Sequence, residues 1–212
     1  DPQDASRHAK IKTPIGAYFQ NNAAFLGTAE NVIENMGSAN LNVTFDASRT
    51  LIPWKFDAGS NGGFNFAVAN DPDASQGRKN GISGPLVKTA TSNQLRITNN
   101  NGGTSFYLTG DVYAQTAIEN RGNKDENGVP TVNVLSGEVT ALGGLGVMAG
   151  TLIMNGKGNH YLANSYVQDY WTAGATTWGA ACLKILDAGA VTNGPRFRLY
   201  SSQATTPAEL VI

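Results

Sequence analysis

Residues 138–158, EVTALGGLGVMAGTLIMNGKG, form the most apolar stretch of a 212-residue chain that is otherwise rich in asparagine, glycine and threonine. A membrane-spanning helix needs about 20 predominantly apolar residues. Gly143, Gly144, Gly146, Gly150, Asn155 and Gly156 interrupt this one, and each glycine inside a helix costs roughly 1 kcal/mol relative to alanine. Read with a period of two, Val139 and Ala141 form one short strand, GGLG turns the chain, and residues 147–155 form a second strand. That second strand is apolar on both sides, with Val147, Ala149 and Ile153 on one and Met148, Leu152 and Met154 on the other. A strand of this kind must be covered twice, in the middle of a packed sheet or at a contact with another subunit.

Outward from this stretch the same alternation recurs. Leu41, Val43 and Phe45 share a face of LNVTF; Phe64, Phe66 and Val68 share one of FNFAVA; Leu95 and Ile97 alternate in QLRIT, and Phe197 and Leu199 in RFRLY. Further strands are expected in TSFYLTG, DVYAQTAIE, TVNVLS, HYLANSYV, CLKIL and the terminal ELVI. GSNGG, NNNGG, NRGNKDENG and VTNGP between them carry turn chemistry. With about a dozen short strands, no βα alternation and no repeat of fixed period, the pattern predicts an all-β fold. The expected form is a single β-sandwich or jelly-roll-like domain over residues 27–212, with long Gly/Asn-rich loops, after an extended amino-terminal arm, residues 1–26, that could donate a strand. TAENVIENMG is the one expected helix, a turn or two with Thr28 as cap and Gly37 as stop.

Charged residues make up 15% of the chain and the formal net charge is −1. No global field attracts nucleic acid or an anionic membrane, and the few charges of RHAKIK (Arg7, His8, Lys10, Lys12) are offset by Asp1 and Asp4. Neutral polar residues must supply the surface, so open strand edges would be poorly protected and are expected to be covered. The single cysteine, Cys182, excludes an internal disulfide framework, and its apolar context predicts a buried thiol. A chain opening on Asp1 instead of Met is expected to be a processed protein, secreted or virion-borne. Asn42 begins an NVT sequon.

Nothing spells out a reaction. A nucleophile–base set drawn from Ser165 or Cys182, His160 and Asp169 lacks the motifs that position such groups. Glu119, Glu138, Asp169 and Asp187 offer carboxylates for glycoside hydrolysis, as any all-β chain does. Trp171 and Trp178, with Trp54, are candidates for a glycan-contacting face. Asp71, Asp73 and Ser75 alternate as at the start of a calcium loop, although Gln76 stands where glycine is needed and no glutamate follows at the twelfth position. Calcium is therefore the one ion to test for, and no other cofactor is implied.

The expected function is non-enzymatic: a self-assembling subunit of an extracellular filament, pilus or sheath, polymerising by β-strand addition between copies. Ile15, Tyr18, Phe19, Phe25 and Leu26 near the start, and Leu210, Val211 and Ile212 at the finish, are the expected assembly residues. A virion coat or decoration protein, and a carbohydrate-binding or adhesin module, are the alternatives.

Overall fold

The 138–158 stretch folds as one complete turn of a coil. It contributes β14 (Val139–Ala141), β15 (Leu145–Val147) and β16 (Thr151–Met154), each to a different face. A computed structural model describes residues 10–13, 17–19, 30–35, 41–46, 51–58, 63–70, 79–99, 101–168, 181–186, 188–200 and 208–212. Neighbouring turns repeat the pattern, with β8 (Leu86–Lys88), β9 (Leu95–Asn99) and β10 (Ser105–Leu108), then β11 (Val112–Ala114), β12 (Ile118–Gly122) and β13 (Val132–Leu135). Earlier strands extend the same faces: β1 (Lys10–Thr13), β3 (Val32–Asn35) and β5 (Lys55–Asp57) on the first, β2 (Ala17–Phe19), β4 (Leu41–Asp46) and β6 (Phe64–Asn70) on the second, and β7 (Gly81–Ile82) on the third. At the far end β17 (His160–Gln168) and β19 (Val191–Tyr200) each run along the first face, bend, and continue along the second, while β18 (Cys182–Ile185) and β20 (Glu209–Val211) complete the third.

The expected sandwich or jelly roll is therefore wrong. Every pairing between the named strands is parallel, and they form one large curled sheet with two smaller parallel ones. Parallel neighbours need a long crossover, which is usually a helix; the absence of helices argued for antiparallel pairing. Here the other two faces of the coil serve as the crossover, so no helix is required. TAENVIENMG is also not helical where it is described, because Val32–Asn35 pair with β1 and β5 as a strand. The supposed long strand at 147–155 is broken at a corner, where Gly150 adopts φ 71°. Its two-sided apolarity has a simple cause. Val147, Leu152 and Met154 point into the coil, whereas Met148 and Ala149 sit buried in the corner.

Inward side chains stack turn upon turn. On the first face Ile33, Phe56, Leu86, Val112, Val139 and His160 follow one another in register, all but fully buried. In the wider early turns the interior is aromatic: Phe56 from the first face, Phe45, Phe64 and Phe66 from the second, and Phe106 from the third meet with ring centroids as close as 4.7 Å. Several of the polar groups that enter the interior are bonded to backbone or to each other. The His160 Nε2 donates to the Gly156 carbonyl at 3.0 Å while its Nδ1 accepts from the Val139 N–H at 3.1 Å. Asn133 donates to Asn120, which donates to the Ala149 carbonyl. Lys88 is also fully buried, and desolvation holds its amine below the usual lysine range.

One corner is built from stacked glycines. A Cβ on Gly110 would overlap the Gly84 carbonyl, one on Gly137 the Gly110 carbonyl, and one on Gly189 the Gly158 carbonyl. Only a residue without a side chain lets successive turns approach this closely.

Candidate functional site

The outermost described turn, formed by β19 and β20, shows what an edge of such a coil exposes. On the second face, the inward positions Leu95, Ile118 and Leu145 are fully buried, Ser165 follows at 3% exposed, and the next position in that column is Phe197, 40% exposed. In the adjoining column Val147 and Val167 are fully buried and Leu199 is 55% exposed. On the third face Leu152 and Leu183 are covered by the turn beyond them, whereas Leu210 is half-buried and Ile212 is 88% exposed. These residues face the interior like their predecessors. They are exposed because, among the described residues, no turn lies on top of them.

Phe197, Leu210 and Ile212 form the rim of an apolar recess of about 680 Å³, floored by Leu162, Leu183, Ile185 and Val191, with Leu199 two residues beyond Phe197 on the same strand. Among the described residues no charged side chain lines it. Around it, the outer edges of β19 and β20 present backbone N–H and C=O groups with no further strand beside them among the described residues. Pro195, which cannot donate, falls at the bend where the register shifts, so the straight halves of β19 keep their donors. Beside the rim, the Cys182 thiol donates to Glu209 Oε2 at 3.4 Å; burial first, and that carboxylate second, push it up to about 11.

The expected assembly residues are divided by this arrangement. Leu210 and Ile212 line the recess, with Val211 between them on β20. Tyr18 and Phe19 lie in β2, whose backbone pairs in parallel with Thr44 and Phe45 of the same chain. Ile15, Phe25 and Leu26 fall outside the described residues, as do Asp71, Asp73 and Ser75 and the tryptophans Trp171 and Trp178. Phe197 and Leu199 were legible only as alternating strand residues; their position on a terminal turn depends on the coil.

Asp169 and Asp187 lie outside the described residues, and the other chemical candidates are engaged in the fold. His160 is engaged through both ring nitrogens with backbone, and the Ser165 hydroxyl accepts from the Leu145 N–H at 3.3 Å. Glu138 accepts from the Asn159 N–H, and Asp125 of NKDENG closes its own turn by accepting from the N–H groups of Asn127 and Val129. Among the described residues no group of three or more His, Cys, Asp or Glu side chains could hold a metal ion. Asn42 is exposed and accepts from Asn65 on the next turn.

Among the described residues no helix is long and apolar enough to cross a membrane. Comparison with known proteins gives no matching family model, no matching curated protein and no matching solved structure.

Proposed function

We propose that this chain is a self-associating structural subunit whose copies stack end to end, of the kind that builds an extracellular filament or sheath. The observation that carries the reading is the pair of inward columns ending in Phe197 and Leu199, buried along the coil and exposed at its last turn. Covering an apolar side chain of this size is worth up to about 1.5–3 kcal/mol, and pairing the strand edges satisfies a row of backbone groups at the same time.

A second copy is the occupant that fits the directions of the strands. All three faces run parallel, so the outer edges of β1 and β2, unpaired among the described strands, are the opposite edges of the same faces that end in β19. A copy placed head to tail continues those faces with the same parallel pairing found inside the chain. Such a contact is heterologous and does not close on itself, so it propagates as a filament. With 15% charged residues, the chain also carries little repulsion against it.

Sedimentation velocity across a concentration series tests this. Wild-type protein should form progressively larger species, and Leu199→Lys should remain monomeric with an unchanged unfolding transition. Monomeric wild-type protein at every concentration, which is also the outcome if further chain covers the recess, overturns the proposal. So does association that Leu199→Lys leaves intact.

A further inference from the structure

A second feature lies on the outer surface of the second face, away from the recess. Residues in register on successive turns are about 4.8 Å apart, and one outward row reads Arg96, Glu119, Gly146, Tyr166, Arg198. Glu119 is only 6% exposed although it points outward. It is covered by the Arg96 Nε at 3.2 Å, the Arg121 Nη2 at 2.9 Å, and the Tyr166 hydroxyl, which hydrogen-bonds to it.

Gly146 makes this roof possible. A Cβ there would collide with the tip of the Tyr166 ring, so the ring lies across the bare backbone of β15 to reach Glu119. Burial, with Glu119 beside it, holds the phenol above its ordinary range, so it stays a neutral donor.

The result is a flat strip with an excess of positive charge. Two arginines, Arg96 and Arg121, hold one withdrawn carboxylate and a third, Arg198, stands at the far end of the row, in a chain whose net charge is −1. Arg96 spends its Nε on Glu119, leaving its two terminal nitrogens at the surface with the side chain 39% exposed, and Arg198 is exposed at the other end of the row. Four strand spacings, roughly 19 Å, separate the backbone positions of the two arginines, with Tyr166 between them.

We propose that this strip binds an acidic polysaccharide, an extended chain of carboxylate-bearing sugars lying along the coil axis. Guanidinium forks engage carboxylates through paired N–H bonds. The ring supplies an apolar platform with a polar tip, suited to a ligand that is part apolar and part hydroxylated. Nucleic acid is the less fitting polyanion, because its affinity comes from neutralising many phosphates at once, and two outward guanidiniums are few for that.

The test is calorimetric titration with a hexameric oligogalacturonate at low protein concentration. Neutral dextran, polyglutamate and a single-stranded oligonucleotide serve as comparisons. Wild-type protein should bind the uronate, more weakly as salt rises, and Arg198→Gln should reduce affinity about tenfold, the usual worth of one charge-assisted bond. Arg96→Gln should do the same, and Arg198→Gln, at an exposed side chain with no hydrogen bond or ion pair among the described residues, keeps the test valid if Arg96→Gln disturbs Glu119. No binding, equal binding to dextran, tighter binding to polyglutamate or the oligonucleotide, or indifference to Arg198→Gln each overturns the proposal.

Discussion

Two phenylalanines that share the same inward orientation should respond very differently to truncation. Phe66 is fully buried and its ring centroid lies 4.7 Å from that of Phe106, 5.7 Å from Phe64, 6.0 Å from Phe56 and 6.1 Å from Phe45. Phe→Ala in a core costs about 3–5 kcal/mol, and an aromatic pair adds about 0.5–1.5 kcal/mol beyond its buried area. With four ring partners, Phe66→Ala belongs at the upper end, about 4–5 kcal/mol. At about 2–4 °C per kcal/mol for a chain of this size, the midpoint should fall by about 10–20 °C. Phe197 is 40% exposed on the outermost described turn, so Phe197→Ala in dilute monomer should cost only about 1–2 kcal/mol. Thermal and urea unfolding followed by far-ultraviolet circular dichroism measure both. Because turns of a coil contact only their neighbours, Phe66→Ala should also make unfolding less cooperative. A Phe66→Ala cost below about 1.5 kcal/mol, or equal costs at the two positions, would refute the stacked interior.

Other expectations follow from single contacts. Gly137→Ala puts a methyl group into the Gly110 carbonyl at the stacked corner and should destabilise by more than about 2 kcal/mol, whereas Gly128→Ala, with open space around its Cβ, should cost only its φ of 81°; urea midpoints distinguish them. His160→Ala strands the Val139 N–H and the Gly156 carbonyl and should cost about 2–4 kcal/mol, with His160→Gln recovering part of it if the amide reaches either partner. The Cys182 thiol, raised to about 11, should react slowly with iodoacetamide at pH 8 in native protein and rapidly in urea. Its pKa is higher folded than unfolded, so the stability it contributes is complete below about pH 8.5 and is lost as pH rises through about 11. Wild-type protein should therefore lose more stability than Cys182→Ala between those values.

The strands themselves were legible, and their partners were not. LNVTF, FNFAVA, QLRIT, TVNVLS and CLKIL all form strands where their alternation places them. Alternation reports only that one side of a strand faces a core; it carries no information about the direction of the neighbour. A readable signal for the coil did exist. Gly84, Gly110, Gly137, Gly158 and Gly189 each stand two residues before an inward side chain of the first face, Leu86, Val112, Val139, His160 and Val191. Their intervals run from 21 to 31 residues, within the range expected of stacked repeats, yet irregular enough to escape a search for a fixed period. The corners absorb that variation: the 123–130 loop lengthens one turn while the 138–158 stretch closes in the fewest residues. The recess was half visible, since ELVI reads as an apolar end. The Arg96–Glu119–Tyr166 strip was not, because its members are distant in sequence and meet only through register.

The most direct measurement is the axial repeat of the assembled protein, from electron microscopy and fibre diffraction. Eight of the described strands lie along the first face of one copy, so head-to-tail stacking at about 4.8 Å per strand predicts an axial repeat near 38 Å, with the 4.8 Å reflection along the filament axis. Discrete particles about 77 Å long, the product of two open ends meeting each other, would contradict it, as would filaments whose 4.8 Å spacing runs across the axis.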